Sequence, residues 1–201
     1  MVLDTKLSFA YRCSLRAREY TWPSWYFRKH QAVRISPEEY LHMTFIDRPD
    51  AELVDGELRE RAMPVSIHGW LQAAFAILFR LQSSSRLFAL PEVGVHLGEG
   101  EYRVPDVAVF DHFPPPVPQL PPLVTIEILS ADDRHRGVLS KCAEYWQWGV
   151  AHVWLVDPSL RLLQVYSASG LANAEALELP EYGVRITMAD LLRGLPEDAL
   201  V

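Results

Sequence analysis

The sequence predicts a single mixed α/β domain, with a mixed central sheet flanked by helices. Apolar side chains recur at helical spacing over residues 66–82, which predicts one long amphipathic helix. Residues 123–129 form a run that is apolar on both faces, as expected of a strand buried in a covered sheet. A helical segment at about 132–148, ending at Gly149, and a strand at 152–156 complete a βαβ unit, whose two strands should be parallel.

Two short elements are predicted before the long helix. Residues 36–39 read Ser-Pro-Glu-Glu, a capping box with proline at the first helical position, and predict a short helix through about residue 43. Residues 52–58 alternate in polarity around Asp55-Gly56, which is the strongest short-range signal for a β-hairpin. A hairpin should therefore precede the long helix.

The remaining elements are predicted from shorter patterns. Six of the 15 prolines fall within residues 114–122, so this segment can be neither a helix nor a central strand. The other elements are strands and one short C-terminal helix: strands at 87–90, 93–97, 102–110, 162–166, 176–179 and 184–186, and the helix at about 189–193.

Composition divides the chain into an extension, residues 1–33, and one domain, residues 34–201. Residues 1–34 carry seven basic and two acidic side chains, and the extension is rich in aromatic residues without a sustained period. It should pack on or beside the domain, with a basic arm that touches a partner as the functional alternative. The net charge of the whole chain is −7, which argues mildly against holding nucleic acid by bulk electrostatics alone.

Composition also bears on the compartment of the protein. No apolar stretch approaches the length of a bilayer span, and the N-terminus lacks the apolar core of a secretory signal. The two cysteines are too few for a disulfide framework and lack metal-ligand spacing. We therefore expect a soluble cytoplasmic protein without a membrane partner.

Three charged residues occur where a covered sheet should be apolar. Asp106 and Glu127 lie inside the strand-like runs 102–110 and 123–129, and Lys141 lies on the apolar stripe of the following helix. A buried carboxylate loses its hydration at a cost of several kcal/mol (roughly) unless a cation compensates it. The functional interpretation is that both carboxylates bind a hard divalent cation such as Mg²⁺, with Lys141 close by.

A structural interpretation of the same three residues stays open. Asp106 follows a proline and could be a turn residue, Glu127 could be a paired edge charge, and Lys141 could be a solvated helix lysine. Lys141 could also form a purely structural ion pair with one of the two carboxylates. Their co-occurrence within one βαβ unit and the strand before it favours the metal site.

Several motifs around these residues resemble the Uma family of restriction-endonuclease-like proteins. The resemblance covers about residues 36–195 and extends to the early Glu-Leu-Val-Asp-Gly segment and to His68. Its motifs are Tyr102-Arg-Val-Pro-Asp-Val-Ala-Val109, Thr125-Ile-Glu-Ile-Leu-Ser130, Asp133-Arg134, Lys141, Tyr145 and Gly149-Val-Ala-His-Val-Trp-Leu-Val-Asp157.

The resemblance implies a fold and a set of site residues. The family belongs to the PD-(D/E)XK nuclease superfamily, so the resemblance implies a restriction-endonuclease-like core preceded by an N-terminal hairpin. It implies Asp106 and Glu127 as metal ligands, with the Ile128 carbonyl as a third. The superfamily's lysine two residues after the glutamate is replaced here by Leu129, and Lys141 on the next helix matches the relocated lysine.

Four further residues receive auxiliary roles, each with a simpler alternative. Glu52 would correspond to the family's early acidic residue, as an auxiliary ligand or a holder of metal-bound water, or it could be a solvated hairpin charge. His68 could cap its helix, and Tyr145 could line the site or belong to the core. Arg103 could contact a substrate phosphate or be an exposed strand arginine.

Two functions follow for this sequence. The first is a Mg²⁺-dependent endonuclease, with Mn²⁺ as a substitute, that hydrolyses DNA by metal-activated water and could form a homodimer to assemble a nucleic-acid groove. The second is a nuclease-fold module that binds protein or nucleic acid without cutting. Net acidity and the missing lysine after Glu127 favour the second.

Overall fold

A computed structural model describes residues 34–42, 51–61, 65–130, 135–196 and 199. The predicted extension, residues 1–33, lies outside the described residues and stays a prediction. The helices are α1 (Pro37–His42), α2 (Ser66–Gln82), α3 (His135–Trp148) and α4 (Met188–Leu191). The strands are β1 (Ala51–Val54), β2 (Glu57–Glu60), β3 (Phe88–Pro91), β4 (Val95–Gly98), β5 (Glu101–Arg103), β6 (Val107–Phe110), β7 (Val124–Ile128), β8 (His152–Asp157), β9 (Leu162–Ser167), β10 (Gly170–Ala174), β11 (Ala176–Leu179) and β12 (Val184–Thr187).

The capping box and the hairpin predicted before the long helix are confirmed. The Glu39 amide donates to Ser36 Oγ at 3.1 Å, and the Ser36 amide donates to Glu39 Oε2 at 2.8 Å. β1 and β2 pair antiparallel through Asp55 and Gly56, whose φ angles of 52° and 77° are those of a type I′ turn. The long helix has the predicted bounds, residues 66–82.

The central sheet is mixed, as predicted. Its strand order is β10-β9-β8-β7-β6-β3, in which β7 and β8 are parallel and every other neighbouring pair is antiparallel. The parallel pair is the one joined through α3, because only a long crossover lets two successive strands run in the same direction. The predicted βαβ unit is therefore present.

One predicted strand, residues 102–110, is in fact two strands in two different sheets. β5 joins a four-stranded sheet of order β2-β1-β5-β4, whereas β6 joins the central sheet. The chain changes sheets at Val104, Pro105 and Asp106, where proline offers no amide hydrogen to continue a ladder. Apolar residues lie on both sides of this break, so the run 102–110 reads as one strand in the sequence.

The C-terminal part contains the predicted β11, β12 and α4 and two elements that the pattern missed. The additional elements are the edge strand β10 and one turn of 3₁₀ helix, Pro180–Tyr182. The proline-rich segment 114–122 contains neither helix nor strand, as predicted. No helix among the described residues is long and apolar enough to span a bilayer.

Helices cover both faces of the central sheet and bury two apolar clusters. On one face, α2 packs Phe79 against Trp154 of β8 with ring centroids 5.9 Å apart. On the other face, α3 buries Cys142 and Tyr145 against Val153. Because side chains alternate along a strand, the residues between the α2-facing positions of β7 face α3, and Glu127 is one of them.

Candidate active site

Glu127 lies in β7, an interior strand of the central sheet. Every residue of β7 is buried, and the Glu127 side chain points from the sheet toward α3. Its Oε1 accepts a hydrogen bond from the Tyr145 hydroxyl at 3.1 Å, and its Oε2 accepts one from Lys141 Nζ at 3.0 Å. The carboxylate is thus held by two side chains of a single helix.

Asp106 lies at the break between β5 and β6, directly beside β7. Its Oδ2 accepts a hydrogen bond from the Ile128 amide at 2.7 Å, which ties the carboxylate to the residue after Glu127. Its own carbonyl accepts from the Gln72 side chain at 3.2 Å and from the Glu92 amide at 3.2 Å. The change of sheet after Pro105 therefore places the aspartate next to the glutamate, as expected from neighbouring strands.

Lys141 reaches this point from α3. Nζ lies 2.8 Å from Glu52 Oε1 and 3.0 Å from Glu127 Oε2, and it donates to the Val104 carbonyl at 3.0 Å. The side chain is only 15% exposed, so the alternative of a solvated helix lysine is wrong. An ion pair between Lys141 and Glu127 is present, as the structural alternative expected.

Glu52 and Arg103 extend the cluster toward the four-stranded sheet. Glu52 is buried and accepts a hydrogen bond from the Val104 amide at 2.9 Å, so the alternative of a solvated hairpin charge is wrong. Arg103 is 4% exposed rather than an exposed strand arginine. Its guanidinium lies 3.5 Å from Glu52, 3.7 Å from Glu101 and within a short ion-pair contact of Glu144.

His68 and Arg61 hold the second oxygen of Asp106. His68 Nε2 lies 3.1 Å from Asp106 Oδ1, and Arg61 Nη2 lies 3.3 Å from the same atom. No side chain caps the N-terminus of α2, so His68 contacts Asp106 instead of capping its helix. Arg61 also lies 3.7 Å from Glu92.

Burial and neighbouring charges raise the pKa of Glu127, whereas the pKa values of Asp106 and Glu52 are lowered. Burial, together with the charges of Asp106 and Glu52, raises the pKa of Glu127 to about 8, although Lys141 acts against this rise. Burial would also raise the pKa of Asp106, but the hydrogen bond from His68 and the charge of Lys141 outweigh it and lower that pKa. Burial likewise opposes ionisation of Glu52, but Lys141 keeps the pKa of Glu52 below its usual value.

The connected cluster contains more carboxylates than cations. Each member lies within ion-pair distance of another. The group around Asp106 is linked to the strand of Glu127 by the hydrogen bond from the Ile128 amide to Asp106. The cluster's carboxylates are Glu52, Glu92, Glu101, Asp106, Glu127 and Glu144, and its arginines and lysine are Arg61, Arg103 and Lys141. Among the described residues, the cluster thus has an excess of acidic groups, of which Glu52, Asp106 and Glu127 are buried, and this excess favours the binding of a cation.

The donor chemistry fits a hard divalent cation bound by few protein ligands. Mg²⁺ typically takes one or two carboxylates and keeps several waters, and two are supplied by Asp106, just before β6, and by Glu127 in the neighbouring β7. Across the described residues, no three His, Cys, Asp or Glu side chains are arranged to enclose a metal. The fit is therefore to an open site and not to a closed structural one.

The structure predicts that Glu127 makes stability depend on pH in the absence of divalent metal. Its folded pKa of about 8 lies above the unfolded value of 4.5, so the folded state binds the proton more tightly. The contribution of Glu127 to the free energy of unfolding is therefore complete below pH 4.5 and is lost as the pH rises through about 8. The loss should be on the order of a few kcal/mol.

Urea unfolding in chelator checks the prediction. The pH window, from roughly pH 5 to pH 9, is set by the unfolded and folded pKa values. Glu127→Gln should lack the decline, whereas the matched variant Glu178→Gln, at an exposed position of β11, should keep it. An identical decline in the wild type and in Glu127→Gln would contradict the prediction.

The comparisons with known proteins agree with this architecture. Residues 37–197 match the model of a family named Uma2 and described as "Putative restriction endonuclease". The chain belongs to the Uma2 family. The match confirms the resemblance predicted from the motifs and has nearly the predicted extent.

A solved structure is similar to this Uma2 chain over most of its length. The protein, from Anabaena variabilis ATCC 29413, is titled "a putative nuclease belonging to DUF820" and superposes with a TM-score of 0.67. Sequence identity is 21%, and the match covers 78% of this chain and 97% of that one. At this identity the similarity shows the fold, a mixed sheet flanked by helices. Among curated proteins, none matches this chain significantly in sequence.

All eight site residues predicted from the sequence lie in or beside one cluster. They are Glu52, His68, Arg103, Asp106, Glu127, Ile128, Lys141 and Tyr145. Their catalytic and metal-binding roles remain predictions. The main-chain group of Ile128 that contacts Asp106 is the amide, and the proposed ligand role of its carbonyl is untested.

Sequence reasoning missed Arg61, Gln72 and Glu92, which all contact Asp106 or one another. Arg61 ends a charge-rich hairpin whose pattern is typical of a solvated surface. Glu92 follows β3 with a φ of 54°, an uncommon conformation for a residue other than glycine. A backbone constraint of this kind leaves no mark in an apolar pattern.

Proposed function

We propose that this Uma2 protein is an endonuclease that hydrolyses DNA phosphodiester bonds with a divalent metal, Mg²⁺ or Mn²⁺. The proposal depends above all on one observation, the meeting of Asp106, Glu127 and Lys141 in one cluster whose carboxylates outnumber its arginine and lysine side chains. Family membership supports a nuclease, because the family is described as "Putative restriction endonuclease". Membership in the PD-(D/E)XK superfamily is part of the same proposal.

Asp106 and Glu127 would hold the cation. Bound there, the cation would neutralise phosphate charge and make a coordinated water more acidic. The chain's own residues orient the two ligands. The Ile128 amide and His68 fix the two oxygens of Asp106, and the Tyr145 hydroxyl fixes Glu127 Oε1.

Lys141 would act on the substrate side of the reaction. Its ammonium group is the cation of the cluster that lies against Glu127. An N–H donor at this point can orient the attacking water or stabilise charge that develops on the phosphate oxygens. Arg103, by contrast, already faces three carboxylates, so its contribution is to position Glu52 and Glu144.

The acidity of the chain does not oppose a nucleic-acid substrate at the site itself. A divalent cation would cancel part of the local negative charge, and residues 1–33 add basic groups. A homodimer could assemble the groove for DNA. The basic arm and the homodimer are both part of the proposal.

The alternative function is a nuclease-fold module that binds without cutting. One observation favours it, since the ion pair between Lys141 and Glu127 is present and would suit a purely structural network. Replacement of the superfamily lysine by Leu129 points the same way. Metal binding that depends on Glu127 separates the two functions, because a pure interaction module needs none.

The test is cleavage of supercoiled plasmid by the purified protein with Mg²⁺, with Mn²⁺ and with chelator. We expect nicked or linear product with either metal and none with chelator. Product that persists in chelator would contradict metal dependence. A complete lack of cleavage, together with no metal binding in calorimetry, would support the alternative function.

A further inference from the structure

The Lys141 amine has as many protein oxygen neighbours as it has N–H donors. A lysine ammonium has three N–H donors, and Lys141 Nζ has three oxygen neighbours at hydrogen-bond distance. These are Glu52 Oε1 at 2.8 Å, Glu127 Oε2 at 3.0 Å and the Val104 carbonyl at 3.0 Å. The geometry therefore leaves no N–H of this amine directed at a substrate or a water.

The three acceptors are not equivalent. The Val104 carbonyl belongs to the backbone, and Glu52 Oε1 is itself fixed by the Val104 amide at 2.9 Å. Arg103 approaches the other oxygen of Glu52 at 3.5 Å. Glu52 and Val104 thus form a fixed holder for the amine on one side, and Glu127 completes it on the other.

Glu127 is the acceptor that the amine and a metal would share. This step rests on the proposed function, in which Glu127 is a metal ligand. A divalent cation at Glu127 and an ammonium group on the same carboxylate are like charges a few ångströms apart, so each weakens the binding of the other. The cation carries the larger charge.

We propose that Lys141 and a divalent cation bind Glu127 antagonistically, so that the cation releases the Lys141 amine from Glu127 while Glu52 and Val104 keep it in place. One N–H then becomes available to the substrate. In this arrangement Glu52 is a positioning residue that anchors the lysine, a role different from that of an auxiliary metal ligand. The lysine is thereby presented to DNA only when the metal is bound.

The wild-type protein itself can test this coupling. The chain has only three lysines, Lys6, Lys29 and Lys141, so a sample labelled with ¹⁵N-lysine gives few ammonium signals. The signal of Lys141 is identified as the one that a Lys141→Arg variant lacks. Titration with Mg²⁺ should accelerate hydrogen exchange of this ammonium group by about tenfold or more, because a charge-assisted hydrogen bond is lost.

Parallel calorimetry distinguishes failure of the inference from failure of the proposed function. Mg²⁺ binding without a faster exchange of the Lys141 ammonium would overturn the inference and leave the metal site standing. An absence of Mg²⁺ binding would overturn both. Asp106→Asn should abolish the response. Its matched control, Asp111→Asn at an exposed position just beyond β6, should preserve the response. A response that persists in Asp106→Asn would also count against the inference.

Discussion

Asp106→Asn is expected to lower the rate of plasmid cleavage by at least about 100-fold, since loss of even an outer partner of a metal ligand costs 10–100-fold. The substitution removes one negative charge while nearly preserving the shape of the side chain. The asparagine oxygen can still accept the Ile128 amide, which now meets Asp106 Oδ2 at 2.7 Å. The protein should therefore remain folded, and the loss should lie in metal binding and catalysis.

Asp111→Asn is the matched control for this prediction. Asp111 is exposed and directly follows β6, so its substitution removes the same charge close to the same strand. Cleavage rates, circular dichroism and thermal melting of the two variants provide the comparison. Cleavage by Asp106→Asn at the wild-type rate would exclude Asp106 as a metal ligand. Equal losses in both variants would show that net charge, and not the site, governs cleavage.

Lys141→Met is expected to have the largest effect on stability. The substitution leaves Glu52 and Glu127 buried without the amine that lies 2.8 Å and 3.0 Å from their oxygens. Removing one partner of a buried pair typically costs about 3–5 kcal/mol. The free energy of unfolding in chelator, measured with urea, should fall by about this amount.

Arg185→Met and a double variant serve as controls for Lys141→Met. Arg185 pairs with Glu178 on the surface at 2.9 Å, with a side chain 59% exposed, so its loss should cost about 0–1 kcal/mol. In Lys141→Met, an added Glu52→Gln should recover part of the stability, because it removes an acid that has lost its closest cation and keeps only Arg103, at 3.5 Å. A loss for Lys141→Met no larger than for Arg185→Met would show that the amine does not compensate these carboxylates.

The central residues could be predicted because each violates its local pattern. A carboxylate in an apolar run, as at Asp106 and Glu127, signals that something nearby stabilises charge. Lys141 on an apolar helical stripe gives the same signal. The sequence leaves open which of the two carboxylates pairs with Lys141, and in the structure Lys141 Nζ lies 3.0 Å from Glu127 Oε2.

The rest of the site depends on contacts that no local pattern contains. Arg61 reaches Asp106 from 45 positions away, and Arg103 joins Glu52 from 51 positions away. Both arginines have neighbours typical of solvated strands, so sequence alone could not distinguish burial from exposure. The strand β10 was missed because its small and polar residues lack apolar alternation, and its pairing with β9 comes from the hairpin.

A crystal of the protein grown with Mn²⁺ tests the central claim most directly. Data collected at the manganese absorption edge should show an anomalous peak within bonding distance of carboxylate oxygens of both Asp106 and Glu127. The Lys141 amine should remain on Glu52 and the Val104 carbonyl and should no longer contact Glu127. An absence of anomalous density at this point, with Lys141 still bound to Glu127 at saturating Mn²⁺, would contradict the proposal of a metal-dependent nuclease.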